Sequence, residues 1–393
     1  MGAIAATIVE LIVLGGLGGL GYLISLSPYW YYFVGAIALL LIIVIVTRPC
    51  KSSSEKAIGK KTMRAGIYDL SAPSGFSVRE DHPVPKYGPK DVVLKVITAA
   101  INPIDYKVVV PAIPFLRHFK SHVAGRAVAG VVIAVGNKVK DIQVGENVYG
   151  NSDSGSLAEY SVSSAGILGR CPTNMTWQQV AGVPVSGLTG YQVFKKNGLK
   201  FGDRTLVIGA SGGSGLSGVQ IAKAMGAYVI GICSARNIEL VKSVGADEVV
   251  DYTEPEFYKR IEPESLDFIY DTVSSPQDPN QEPWARPLLK LNATSPYSKI
   301  NSSPGDWAKV MLGRALHVNL QRKGIDVHPV EANSKDFNEL TQLIEKADIT
   351  VPIDCEKSLD NEGIREGYDR QRSRRAQGKI IFNVTPDYTP LNQ

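Results

Sequence analysis

The residues between Thr205 and Cys233 have the types and spacing that most directly prescribe a chemistry. A short apolar run, TLVIGA, leads into Ser211-Gly212-Gly213-Ser214-Gly215. An amphipathic stretch, LSGVQIAKAMGA, follows, with Val219, Ile221, Ala222 and Met225 on one face. A second apolar run, YVIGIC, comes next, so the order is strand, glycine turn, helix, strand. Set against G-x-G-x-x-G, positions 210–215 read Ala-Ser-Gly-Gly-Ser-Gly, with Ala210 in the first glycine's place and Gly209 just before it. Gly212 lets the backbone approach a pyrophosphate, and Gly215 lets the helix pack near the strand. The N–H groups at the helix start then face the phosphates. Between an apolar strand and an amphipathic helix, this motif predicts a dinucleotide site built on Gly209, Ala210, Ser211, Gly212, Gly213, Ser214 and Gly215.

The end of the second strand chooses the dinucleotide. An NAD site usually places an acid there to hold the ribose 2′-OH. The chain reads GICSARN, with no Asp or Glu from Gly231 to Asn237. Ser234 and Arg236 are suited to a 2′-phosphate, Arg236 through a charge-assisted fork, and Asn237 is grouped with them as a cofactor-binding candidate. NADPH is therefore the expected cofactor. The plainer reading of Arg236 is a solvated charge at a helix start. The stretch ELVKSVGADEVVDY predicts a helix and a short strand, after which Tyr252 could pack near the adenine. LDFIYDTV, 266–273, predicts a further strand, with Asp271 and Thr272 at the carboxyl end where ligands sit in open α/β sheets.

The elements that must hold this site differ on either side of it. Between 62 and 160, MRAGIYDL, VVLKVITAA, AVAGVVIAVG and ENVYG are short β-rich runs punctuated by Gly, Pro and Asp, which predicts a compact barrel-like β domain. Near the end, FNELTQLIEKA reads as an amphipathic helix and KIIFNV as a strand that returns to that first domain. The 38 glycines follow no three-residue period and suit an α/β protein with tight turns. The net charge of +4 is not massed on one segment, so no nucleic-acid partner is expected. Cys50, Cys171, Cys233 and Cys355 lie far apart, with no CxxC or Cys/His cluster, so neither a structural zinc lobe nor a disulfide framework is expected.

Residues 3–46 stand apart, because Glu10 is the only side chain there that normally carries charge. The stretch is long enough for two spans, 3–25 and 29–46 broken at Ser27-Pro28, or for one. Tyr29, Trp30, Tyr31 and Tyr32 read as an interfacial belt, and Arg48, Lys51, Lys56, Lys60, Lys61 and Arg64 follow at once. These features predict a lipid bilayer partner and a membrane-anchored protein with its soluble domains facing the cytoplasm. On that reading the N-x-S/T matches at Asn174, Asn292, Asn301 and Asn383 are chance.

Seven segments together carry a family resemblance: INPIDYK at 101–107, AGRAVAGVVIAVGNKVKDIQVGENVYG at 124–150, GSLAEY at 155–160, VPVSGLTGYQ at 183–192, the 205–231 stretch, SVGADEVVDY at 243–252 and AQGKIIF at 376–382. In order and spacing the chain resembles the medium-chain dehydrogenase/reductase superfamily, in its zinc-free quinone oxidoreductase and enoyl reductase branch. The resemblance implies an α/β protein with a GroES-like β-rich domain plus a Rossmann doubly wound parallel sheet, here preceded by the N-terminal transmembrane segment or hairpin. The expected divisions are 1–50 anchor, 51–61 basic linker, 62–185 first part of the GroES-like domain, 186–325 Rossmann domain, and 326–393 return and tail.

The resemblance also implies hydride transfer from a nicotinamide to a quinone or an α,β-unsaturated carbonyl, a small-molecule substrate that the anchor would make lipophilic, and a homo-oligomer. It places Asn102, Asp105 and Lys107 near the nicotinamide, with Asn102 hydrogen-bonding a ligand carbonyl or the cofactor ribose. Pro184, Gly187, Leu188 and Thr189 line the cleft, Thr189 facing the carboxamide. Zinc-dependent relatives begin their metal site with Gly-His-Glu. Here Gly125-Arg126-Ala127 stands in that place, which implies no catalytic metal. Neutral donors must then stabilise the developing oxyanion, with water or Tyr106 as proton donor. The polar stretch after Asp271 departs from the family's glycine-rich strand end. Together with the missing acid at Ala127, it keeps open a non-catalytic alternative, a membrane-bound NADPH-binding sensor or scaffold.

Overall fold

The computed structural model describes residues 52–107 apart from 70 and 73, residues 123–316 apart from 275–278 and 292–296, and residues 318, 321, 324–388 and 391. The first part is β-rich. It runs through β1 (Thr62–Tyr68), β2 (Phe76–Pro83), β3 (Asp91–Ile101), a single helical turn α1 (Pro103–Lys107), β4 (Ala127–Val135), β5 (Asn147–Asn151), β6 (Tyr160–Ser164) and β7 (Leu168–Arg170). The long helix α2 (Trp177–Asn197) leads out of it. Thr176 and Gln179 form a reciprocal capping box at the start of α2, and Gly198, at φ 66°, ends it.

The nucleotide-binding part comprises β8 (Arg204–Ile208), α3 (Gly213–Ala224), β9 (Tyr228–Cys233), α4 (Ile238–Ser243), β10 (Glu248–Asp251), β11 (Phe268–Asp271), β12 (Tyr297–Lys299), α5 (Pro304–Leu316) and β13 (Ile325–Val327). Its six strands lie in the order β10-β9-β8-β11-β12-β13, and every pairing is parallel. In chain order that is 3-2-1-4-5-6, the doubly wound arrangement whose direction reverses beside its first strand. The reversal lies between β8 and β11, so the crevice for a ligand opens where Gly209 and Thr272 leave the sheet.

The chain then returns through α6 (Ser334–Ala347), β14 (Ile353–Ser358), α7 (Asn361–Arg372) and β15 (Lys379–Asn383). β15 pairs antiparallel with β3, and β14 runs parallel to β15. The larger sheet therefore reads β14-β15-β3-β4-β5-β7 with β6 also on β3. The run DVVLKVITAAI is apolar almost throughout because both faces of β3 are buried, with Ile97 and Ala100 in one core and Val92, Leu94, Val96, Ala99 and Ile101 in another, and it is also paired on both edges. β4 takes one edge, while β6 and β15 share the other, along Asp91–Lys95 and Thr98–Ile101 respectively. Register shifts at Val93/Leu94 and Val96/Thr98 mark bulges in this pairing, of the kind that bend barrel strands. One core unites the two parts, with Ala129 and Tyr149 from the β-rich side packed with Val180, Leu188, Val207 and Ile221 around α2.

This is the α/β architecture expected, a GroES-like part plus a Rossmann sheet, but one component of the expectation is corrected. No helix among the described residues is long and apolar enough to cross a membrane. Residues 1–50, on which the transmembrane segment or hairpin was placed, lie outside the described residues. The anchor is accordingly removed from the fold class. The lipid bilayer partner, the membrane-anchored location and the lipophilic bias on the substrate rested on the hydropathy, aromatic belt and basic flank of that segment and go with it.

Candidate functional site

The glycine turn is shaped by the sheet beneath it. Gly209, at φ +78°, reverses the chain at the end of β8, and a Cβ there would lie 2.5 Å from Val273 Cγ2. Its N–H and that of Ala210 both donate to the Ile232 carbonyl, at 3.1 and 2.9 Å. The methyl of Ala210 sits over Gly231 on the neighbouring strand, where a second Cβ would approach to 3.1 Å. This explains why the first glycine of the motif is dispensable: Gly209 makes the turn and Gly231 gives Ala210 its space. Gly215 is not dispensable, because a Cβ on it would meet the Gly209 carbonyl oxygen at 2.1 Å.

Gly212 has room around it, since a Cβ there would come no nearer than 3.6 Å, to the Gly209 carbonyl oxygen. It is also the N-cap of the twelve-residue α3, with no side chain capping that end. Leu216 N–H donates to the Gly212 carbonyl at 2.8 Å, so the N–H groups of Gly213, Ser214 and Gly215 precede the first intrahelical bond. An uncapped helix start beside an open backbone fits a pyrophosphate.

Beyond β9, Ser234 is partly buried and Arg236 exposed; no acid lies in the chain from Gly231 to Asn237, and the carboxylate that reaches this strand end is Asp251 of β10, in register with Cys233 and bound by the Thr253 and Ala235 N–H groups. Asn237 is buried and occupied by protein. Its Nδ2 donates to Ser211 Oγ at 2.9 Å and Ser234 Oγ at 3.2 Å, and its Oδ1 accepts from Gln377 Nε2. Tyr252 is 55% exposed just past β10. Asp271 is fully buried: Oδ1 accepts from the Val273 and Ser274 N–H groups at 2.9 Å each, and Oδ2 from the Tyr297 hydroxyl at 2.5 Å. Thr272 Oγ1 donates to the Ile208 carbonyl at 2.7 Å, tying β11 to β8. The Thr189 hydroxyl donates back to Val185 in its own helix at 2.6 Å.

The other wall of the crevice comes from the end of β3 and the start of β15. Asn102 follows β3 and is 2% exposed. Its N–H donates to Asp105 Oδ2 at 2.8 Å, and Asp105 N–H donates back to the Asn102 carbonyl at 3.0 Å, which closes α1. Burial pushes Asp105 up to about 6 against the opposing pull of the Asn102 N–H, Arg126 and Lys379. Lys107 is half-buried, and burial, aided by Arg374, lowers its pKa. Gly212 and Gly378 form an isolated parallel bridge, so the start of β15 lies against the glycine turn. Lys379, next in sequence, donates to Asn102 Oδ1 and to the Ile101 carbonyl. The sequence drew attention to AQGKIIF as a segment but assigned Gln377, Gly378 and Lys379 no role. The available signal was a lysine opening a strand directly ahead of the apolar run Ile380-Ile381-Phe382.

Arg126 is exposed and Ala127 buried where a zinc site would begin, and neither offers a ligand atom. Among the described residues no three His, Cys, Asp or Glu side chains come together as a metal group.

A Rossmann crevice with an uncapped helix start on one wall and a polar cluster on the other defines a dinucleotide-dependent oxidoreductase. The model for the alcohol dehydrogenase GroES-like domain matches residues 88–205, and that for the zinc-binding dehydrogenase matches 213–282. The chain is 30% identical over 356 residues to the trans-enoyl reductase pgmF of Aspergillus terreus, covering 82% of this chain and 96% of that protein. It is 30% identical over 334 residues to a chloroplastic quinone-oxidoreductase of Triphysaria versicolor, covering 82% and 98%. In fold it is similar to the quinone oxidoreductase from Coxiella burnetii, with a TM-score of 0.69 at 23% identity over 82% of this chain and 99% of that one. The chain belongs to the medium-chain dehydrogenase/reductase superfamily, in its zinc-free quinone and enoyl oxidoreductase branch, and is an NAD(P)H oxidoreductase.

Proposed function

We propose that this oxidoreductase uses NADPH to reduce a quinone or an α,β-unsaturated carbonyl (an enone, enal or enoyl group) without zinc. The observation that carries the reading is the Gly212–Gly378 bridge, which sets the phosphate cradle of α3 against the Asn102, Asp105 and Lys379 cluster. The NADPH preference is supported by the exposed Arg236 and by the lack of an acid in the segment Gly231–Asn237 that ends β9, the nearby Asp251 carboxylate being taken up by Thr253 and Ala235. The substrate class is supported by the two relatives, an enoyl reductase and a quinone oxidoreductase. Their acceptors share a carbonyl oxygen on which negative charge gathers during reduction.

When bound, NADPH supplies the hydride. In this reading the N–H groups of Gly213, Ser214 and Gly215 hold the pyrophosphate, Ser234 and Arg236 take the 2′-phosphate, and Tyr252 flanks the adenine. Thr189 retains acceptor lone pairs for the carboxamide. Asn237, Asp271 and Thr272 act at one remove: Asn237 orders Ser211 and Ser234, and the other two hold the strand ends that flank Gly209. On the substrate side, Asn102 Nδ2 donates to the developing oxyanion and Lys107 stands at the end of the described wall. The proton comes from water or from Tyr106, whose ring lies 5.6 Å from the Arg372 guanidinium carbon.

The test is a panel of quinones, enones and enoyl thioesters offered to the purified protein with NADPH and with NADH, followed by loss of reduced-nicotinamide absorbance. Turnover with at least one acceptor and a preference for NADPH are expected. Tight NADPH binding with no turnover across the panel would overturn the substrate reading.

A further inference from the structure

Lys379 opens β15 and is only 6% exposed. Its stem passes between the glycine turn and α2. A Cβ on Gly213 would come within 2.7 Å of Lys379 Cδ, and one on Gly182 within 3.1 Å of its Cγ. The head reaches the Ile101 carbonyl at 3.3 Å and Asn102 Oδ1. Burying an ammonium is costly, and an apolar side chain of the same length would fill this space without that cost. The cation therefore calls for an explanation beyond packing.

An ammonium has three donors and no acceptor. It can meet the oxygen of the Asn102 amide but not its NH2 group, so it excludes the flipped amide. Nδ2 is thereby turned to the Ala100 carbonyl, which takes one hydrogen at 3.3 Å. The second Nδ2 hydrogen has no acceptor among the described residues, and Asp105 Oδ1 is likewise buried without a partner. The Asn102 backbone is fixed separately by Asp105 Oδ2.

We propose that Lys379 is a positioning residue for the reduction: it locks the Asn102 amide so that an Nδ2 hydrogen is presented to the substrate carbonyl. Its stem ties that lock to the helix that holds the cofactor phosphates. The inference rests on the reading of Asn102 as the carbonyl donor.

The lock is sensitive to pH. Burial holds Lys379 down to about 8, opposed by the charge of Asp105. The groups facing the pair are Arg126, Tyr68 and Tyr368. Burial raises both phenols far above neutrality, and they stay uncharged. Above the Lys379 midpoint the head becomes an amine that can accept a hydrogen bond, and the amide is free to turn.

The test uses the full chain with the best acceptor of the panel, comparing the unmodified protein, Lys379→Met, Lys379→Gln, Asn102→Ala and the Asn102→Ala/Lys379→Met double variant between pH 6 and 10. In the unmodified protein kcat is expected to fall above about pH 8. Lys379→Met should lower kcat about 10- to 100-fold, lose that alkaline limb and leave the NADPH KM within about threefold. Lys379→Gln keeps a donor and should fall between the two, which covers the case in which the Met variant folds poorly. The double variant should be no slower than Asn102→Ala. Losses that multiply in the double variant would overturn the lock, as would an impaired Asn102→Ala beside a normal Lys379→Met. A normal Asn102→Ala would overturn the reading of Asn102 itself, and the lock with it.

Discussion

Replacing Arg236 with alanine separates the two cofactors by an amount the geometry sets. Arg236 lies just beyond β9, exposed, and none of the hydrogen bonds or ion pairs among the described residues engages its guanidinium. It is therefore available to a 2′-phosphate and contributes nothing to a 2′-hydroxyl. A hydrogen bond to a charged group contributes roughly 1.5–3 kcal/mol. Exposure to solvent places this contact near the lower end. About 1.5–2 kcal/mol corresponds to roughly a 10- to 30-fold weaker Kd for NADPH, with NADH within about twofold of the unmodified protein. The effect should shrink at about 0.5 M salt, since the pair is screened. Fluorescence titration of reduced nicotinamide at two salt concentrations gives both numbers. Parallel losses for NADPH and NADH would show that Arg236 supports the fold of the turn and not the phosphate. Equal affinities for both cofactors in the unmodified protein would refute the argument from the missing acid. Ser234→Asp makes the converse test, expected to weaken NADPH and strengthen NADH by restoring the acid that a ribose 2′-hydroxyl needs.

Gly215→Ala should abolish cofactor binding or the fold of α3, because its Cβ has no room against the Gly209 carbonyl 2.1 Å away; a variant binding NADPH within threefold of normal would contradict this. Asp271→Ala removes the acceptor of three donors, two of them buried, and should cost about 2–4 kcal/mol in urea unfolding. Unchanged stability with weakened cofactor binding would instead place Asp271 in contact with the ligand. Asp105 has its folded-state pKa raised by burial to about 6, so its contribution to stability is complete below about pH 4 and is lost as pH rises through 6. The loss amounts to about 3 kcal/mol. Asp105→Asn should flatten that part of the stability profile, and an unchanged slope between pH 4 and 7 would assign the effect to another group.

Local features of the chain determined much of this protein. The alternation of apolar strand, glycine turn and amphipathic helix between Thr205 and Cys233 made the nucleotide fold legible, because each of those signals is set by neighbours in sequence. Gly209 in place of the missing first glycine, the absence of an acid after β9, and the lack of ligand atoms at Arg126 and Ala127 were equally readable. The anchor predicted at 3–46 falls outside the described residues, and no helix among those described is long and apolar enough to cross a membrane. The long helix α2 was obscured by Gly182, Pro184, Gly187 and Gly190, residues that weaken helices in isolation. Packing explains two of them: a Cβ on Gly182 would meet Val351 at 2.5 Å, and Gly190 faces Gly218 of α3.

The roles of Asn237, Asp271 and Thr189 were also beyond the sequence, because a polar side chain near a ligand site can point outward to the ligand or inward to the protein. Their protein partners, Ser211 and Gln377, Tyr297, and the Val185 carbonyl, come into reach only in the fold. Above all, the sequence fixes Lys379 only as the first residue of a strand 277 positions after Asn102. The pairing of β15 with β3 is what converts that separation into a hydrogen bond, and with it brings a buried cation to the crevice wall. Spacing along the chain reports local geometry, whereas contacts across this distance exist only once the two ends of the sheet have closed on each other.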